Sequence, residues 1–501
     1  MFCFVDSFMR FLLIIIFSSL LFSSFDKTSC IVSKHNREVY RNQYTYPETI
    51  QSENFVIHFT TSDVDSQYVN GQWFNLQSNT TYAQSIIDHL ESALVKYLDD
   101  GWENIPPDCD ESISDIESPN HCINFGGNAL YDIYIANDAA GMVVPENPYP
   151  VAPYTGGYTS YMKISTLSNQ YDALPSWNYH VAAHELHHSI QLRYGYSVSG
   201  EPGNYMYNGW LFEQTATYME NVIYPNSFHL RTMLSNCNVV TPLTYPEYNI
   251  DYPAEIYPYR SALWQKFLVE SLGDSSIVRY IWEDYGLQYA TGDPVSLFPI
   301  YSNAVENVSN DSLSEAYNDY AIWRYFTGDR SISNMYFNES SSYCAASTIS
   351  DFENLFIIPS NKGASRYINL PSDNMNFIIH TEFPDDINFS YLNITANNEI
   401  DIENLSSQND YNYFNVSSEG TNVLIANSNY FNSDSINAEF TLSINSNLLG
   451  DINADGSIDV LDVVNIVNLI LINDYDVNGD LNNDQELNII DIVQLINIIL
   501  G

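Results

Sequence analysis

The chain has 501 residues, with 16 Lys plus Arg against 62 Asp plus Glu and a formal net charge of −46 at pH 7. That balance excludes nucleic-acid binding, which rests on neutralising phosphates, and 45% hydrophobic with 14% aromatic residues excludes a disordered chain. The length allows three or four domains, and the acidity suits a soluble life in a calcium-rich or saline exterior.

At the N-terminus, Arg10 precedes an apolar run from Phe11 to Phe25 that has the length of a secretory signal and small residues near its end. Residues 1–25 are expected to be that signal and 26–50 a linker or short pro-segment, with no stable membrane span once the signal is removed. The alternative is an uncleaved anchor, for which the run is short. Of six cysteines, Cys3 leaves with the signal and Cys30 follows it. Cys109 and Cys122 flank an acidic loop and are the best disulfide candidates; Cys237 with Cys344 is a further option, and spacing alone does not fix connectivity.

Residues 51–350 read as an α+β region. Phe55–Phe59 and Tyr131–Ile135 have strand character, while Tyr82–Leu98, Trp177–Tyr194, Leu211–Ile223, Ser261–Ser271 and Leu313–Phe326 have helical periodicity. The segment Trp177–Tyr194 contains His184-Glu-Leu-His-His188, the pattern H-E-x-x-H. On a helix, positions i and i+4 share a face, so His184 and His188 can both reach one Zn²⁺ while Glu185 addresses the water that the ion activates. Such a water has its pKa lowered to about 7, and a neighbouring carboxylate can take its proton as it attacks a carbonyl. His187 lies about 100° round the helix from each neighbour and is read as supporting a ligand or facing solvent. A third zinc ligand is sought on the next helical segment, where Glu213 is best placed; Glu220, two turns on, is the alternative ligand or a hydrogen-bond partner of a liganding His.

H-E-x-x-H followed by Trp210-x-x-Glu213-x-x-Ala216 resembles the gluzincins, metallopeptidases that bind zinc through His, His and Glu. More narrowly, the chain is similar to secreted bacterial metalloproteases whose catalytic domain is followed by β-rich and attachment modules, with weaker matching stretches at 54–59, 131–135 and 321–330. The resemblance implies His184, His188 and Glu213 as ligands, Glu185 as general base, and an unassigned group that stabilises the oxyanion. Tyr259, at the start of an apolar helix, is the candidate for that last role. Protein or peptide substrates follow from it.

From 364 to 446, short alternating segments recur between Asn, Ser and Asp turns, among them Asn376–His380, Asn388–Ile394, Thr421–Ala426 and Ala438–Ile444. These predict a β-sandwich accessory domain. From 448 to 501 a motif repeats with a period of 29 residues: Asp451, Asn453, Asp455, Ser457, Asp459 and Asp462, then Asp480, Asn482, Asp484, Glu486, Asn488 and Asp491. These are positions 1, 3, 5, 7, 9 and 12 of an EF-hand-like loop, with position 7 offering a backbone carbonyl, and each loop runs into an apolar helix, Val460–Leu471 or Ile489–Leu500. Gln485 stands where the first repeat has Gly456 in the tight turn, which implies weaker calcium binding in the second loop. The repeat resembles a type I dockerin, which implies two Ca²⁺ ions, an α-helical module and a cohesin-type partner on a scaffold or cell surface.

The sequence therefore predicts a multidomain protein, with an α+β gluzincin-like zinc endopeptidase, a β-sandwich and a dockerin, secreted or held at the cell surface. The rival expectation is an inactive metalloprotease-like component whose role is assembly through the dockerin. A carbohydrate-cleaving enzyme lacks an identifiable pair of carboxylates.

Overall fold

The computed structural model describes residues 44–500, except 70–71, 113, 116, 119–120, 138–140, 167–176, 197–208, 226–227, 253–255, 293–294, 351–354, 359–361, 374, 406–410, 429–437, 446–448, 454–457 and 483. The expected signal, Cys3, Cys30, Asp455 and Ser457 lie outside the described residues. The chain divides into two compact units, one holding residues up to 244, 250–316 and 326–345, the other 245–249, 317–325 and 346 onward. Among the described residues no helix is long and apolar enough to cross a membrane.

The first unit runs β1 (Glu48–Gln51), β2 (Phe55–Phe59), β3 (Ser66–Val69), β4 (Gln72–Asn75), α1 (Thr80–Asp99), β5 (Tyr131–Ile135), β6 (Gly141–Val151), β7 (Tyr154–Ile164), α2 (Trp177–Tyr194), α3 (Gly209–Ile223), α4 (His229–Leu234), α5 (Tyr257–Arg260), α6 (Leu263–Leu272), α7 (Ile277–Tyr289), α8 (Leu297–Val308) and the beginning of α9 (Leu313–Tyr325). The expected linker 26–50 thus already enters β1. Five strands form a mixed sheet in the order β1-β2-β5-β7-β6, with β2, β5 and β7 parallel and the two outer strands antiparallel to their neighbours. The β6–β7 hairpin escaped the alternation test because Pro145, Pro148 and Pro150 interrupt β6; its register shifts follow Pro145 and Tyr149. Proline is tolerated there because β6 is an edge strand and needs fewer ladder donors.

Helix α1 is capped by the Asn79 side chain, which accepts from the Tyr82 backbone N–H at 2.9 Å. It buries Tyr82, Ile86, Ile87, Leu90, Leu94 and Tyr97 on one face, the spacing expected of an amphipathic helix. Helix α2 differs. It packs against β6 and β7 and is flanked by α1, α3 and α7, so every position from His180 to Tyr196 is buried. Disulfides join Cys109 to Cys122 and Cys237 to Cys344, with Cα–Cα distances of 5.1 and 5.4 Å.

The second unit contains β8 (Leu355–Ile358), β9 (Ser365–Leu370), β10 (Met375–Thr381), β11 (Ile387–Ile394), β12 (Ile400–Leu405), β13 (Tyr411–Val416), β14 (Thr421–Ser428) and β15 (Ala438–Asn445), followed by α10 (Val460–Ile472) and α11 (Ile489–Leu500). Two antiparallel four-stranded sheets, β13-β10-β15-β8 and β12-β11-β14-β9, share one core that includes Phe377, Phe389, Phe414, Leu424 and Phe440. The sheet pair starts before residue 364, because β8 adds to β15. The architecture is multidomain and mixed α/β, with several sheets.

Candidate metal centre

His184 and His188 stand one turn apart on α2, and Glu213 faces them from the first turns of α3. His184 Nε2 and His188 Nε2 are 3.1 Å apart, and Glu213 Oε2 lies 3.2 and 3.3 Å from them. All three side chains are buried. The outward nitrogens fix the tautomers. His184 Nδ1 donates to Glu220 Oε1 at 2.7 Å, and His188 Nδ1 donates to Gln191 Oε1 at 2.7 Å, whose own amide N–H₂ is committed to Phe212 O at 3.0 Å. Both Nε2 atoms therefore present lone pairs to each other and to a carboxylate oxygen, a repulsive arrangement until a cation stands among them. Ligand atoms around a tetrahedral Zn²⁺ with bonds of about 2.0–2.1 Å are about 3.3–3.4 Å apart, so this donor set fits such an ion, and the three residues can hold a metal.

Burial opposes ionisation of Glu213, yet His188 and His184 beside it hold its carboxyl well below the ordinary range. Burial likewise opposes ionisation of Glu220, while His229 and His184 bring it down to about 2. Glu220 thus serves as the anionic partner that orients His184, with its second oxygen accepting from His229 Nδ1 at 2.7 Å.

Glu185 is buried on α2, and its position is tied to the sheet. Its carbonyl accepts from Ser189 Oγ at 3.1 Å, and Ser189 Oγ meets the Tyr131 hydroxyl at 2.8 Å. Its side chain lies against the first residue of β6. A Cβ added to Gly141 would fall 2.4, 2.5 and 2.7 Å from Glu185 Cγ, Oε1 and Cδ. The Tyr259 ring stacks on the His184 ring with centroids 5.5 Å apart and planes 8° apart.

His187 corrects the reading of it as facing solvent. It is fully buried, stacked on Tyr97 and edge-on to Trp102, because α2 has no face turned to water. Burial, then His188 and His184, push its pKa well below the ordinary value, so it stays neutral. Gln191, Gly141 and His229 carried no motif signal, though Gln191 lies within the H-E-x-x-H helix, three residues beyond His188.

In the C-terminal repeat, the two loops close alike. Asp462 Oδ1 accepts from the Ile452 and Asn453 backbone N–H groups at 2.8 and 3.2 Å, and Oδ2 from Asp459 at 2.9 Å. Asp491 does the same with Leu481, Asn482 and Asn488 at 2.9, 3.3 and 2.9 Å. Asp451 and Asp480, the first residues of the loops, are buried. Gln485 has φ +63°, the left-handed turn expected of that position. Among the described residues neither loop brings three acidic ligand atoms within 4.8 Å of one another. Helices α10 and α11 fully bury Ile466 and Leu495 but expose Val460, Leu471, Ile489 and Leu500 at 66–78%.

Residues 155–367 match a family described as "Family of unknown function (DUF6055)". The matched stretch carries His184, Glu185, His188, Glu213, Glu220, His229 and Tyr259, but not Gly141. No curated protein matches the chain at a significant level.

Proposed function

We propose that the first unit is a zinc-dependent endopeptidase of gluzincin type. The observation that carries this reading is the convergence of two imidazole lone pairs and one carboxylate oxygen, 3.1–3.3 Å apart, from the H-E-x-x-H helix and the helix after it. When bound, zinc supplies Lewis-acid polarisation and lowers the pKa of water to about 7. His184, His188 and Glu213 would hold it. Glu185 Oε accepts the proton of the attacking water and passes it to the leaving amine, and burial of its carboxylate keeps competing water away. Tyr259, stacked on His184, donates from its hydroxyl to the developing oxyanion. An extended peptide adds along the outer edge of β6, whose first residue abuts Glu185, by the β-augmentation that free strand edges support.

The C-terminal repeat is proposed as a calcium-dependent dockerin-like module. Its support is the matched closure of the two loops and the unpartnered apolar faces of α10 and α11, which a soluble chain exposes on this scale at partner sites. A cohesin-type partner outside the cell is the expected occupant, and the signal-like N-terminus supports export.

The deciding experiment compares casein hydrolysis by the wild type and Glu185→Gln at equal zinc content. A loss of about 10²-fold or more in the variant is expected. Equal rates, or none in either protein, sink the peptidase reading and leave the assembly role.

A further inference from the structure

The imidazole–carboxylate pattern on these helices does not stop at one site. Helix α2 carries His180, His184 and His188 at intervals of four, on one face, and α3 carries Glu213 and Glu220 at an interval of seven. The lower rungs build the centre described above. The upper rungs, His180 and Glu220, are joined by His229 from the first turn of α4, and one ligand atom from each of the three lies within 4.8 Å of the others. His180 and Glu220 are buried, and the His229 side chain is 11% exposed.

We propose that His180, Glu220 and His229 form a second divalent transition-metal site, of the zinc class, that is weaker than the first. Two imidazoles and a carboxylate are a donor set suited to zinc, and no ligand atom is shared with the first site. The weakness follows from geometry. Glu220 Oε2 and His229 Nδ1 are 2.7 Å apart, a hydrogen-bond separation, against 3.1–3.3 Å among the donors of the first site. The His180 and His229 rings are stacked at 4.6 Å. An ion must therefore displace the His229 proton and part the two groups by a few tenths of an ångström before it is held. His229 is the least buried of the three, its side chain 11% exposed. Once bound, the ion withdraws charge from the carboxylate that orients His184, which couples occupancy of the upper rung to the ligand strength of the lower one.

The test is zinc stoichiometry of the full chain in millimolar calcium, read by mass spectrometry of metal content and by anomalous peaks at the zinc edge. The wild type should take one zinc at low concentration and a second at tenfold or more higher concentration. His229→Gln, which retains a hydrogen-bonding group toward Glu220, and His180→Ala should each lose only the second. His184→Ala/His188→Ala should lose only the first; if it retains all zinc that the wild type binds, the catalytic reading fails and this one survives. A wild type whose zinc content at saturation is undiminished by His229→Gln, whether it binds one ion or two, overturns the second site.

Discussion

Gly141 offers the sharpest probe of how the sheet positions the proposed general base. In Gly141→Ala the new methyl carbon would stand 2.4 Å from Glu185 Cγ and 2.5 Å from Oε1, so the side chain must retreat by about 1 Å to reach ordinary contact. Glu185 is 2% exposed, and the glycine φ is not among the left-handed ones, so the backbone itself accepts alanine. A displacement of about 1 Å in a reacting group costs about 10²-fold, or about 2.7 kcal/mol of transition-state stabilisation. The expected result is a kcat/KM about 10²-fold below wild type on a fluorogenic peptide, with zinc content unchanged and a melting temperature lowered by a few degrees from the overpacking. Because the effect runs through one carboxylate, Gly141→Ala should add little in a Glu185→Gln background. Full additivity there, or a variant within threefold of wild type, refutes the argument.

Glu220→Gln leaves one of the two imidazoles facing an amide N–H₂, and should weaken zinc binding at the first site about 10- to 100-fold, measured by chelator competition. Gln485→Gly relieves a left-handed side chain, about 1–2 kcal/mol, at an entropic cost of about 0.5–1 kcal/mol; calorimetry should show calcium affinity of the second loop rising about two- to fivefold, and a fall would contradict the loop assignment. Burial lowers the His89 pKa from 6.5 to about 4, with Asp88 opposing. Its stabilising contribution is therefore complete above pH 6.5 and is lost as pH falls through 4, so His89→Gln should lose less melting temperature than wild type between those values.

The parts legible in the sequence are those where local pattern and tertiary role coincide. Phe55–Phe59 and Tyr131–Ile135 are central strands of β-branched and aromatic residues, and their observed bounds match the expected ones. Helix α2 has no Gly or Pro inside it and was readable from end to end. Tyr259 was named from its helix-start position, and its ring lies on His184. The β6–β7 hairpin was hidden by prolines that only an edge strand tolerates. The solvent-facing alternative for His187 failed because periodicity assumes that a helix has a wet side, and α2 is buried at every position from His180 onward. Gly141 was invisible, since what matters about it is a missing Cβ beside a carboxylate far along the chain. His180 was the overlooked signal, one more four-residue step back along the same helical face.

The enclosure of α2 on every side has a kinetic consequence. Every described position from Val181 to Tyr194 is buried, so exchange of their amide protons with deuterium should require opening of the whole first unit. The residues proposed for chemistry would then ride on the slowest-exchanging segment of the first unit.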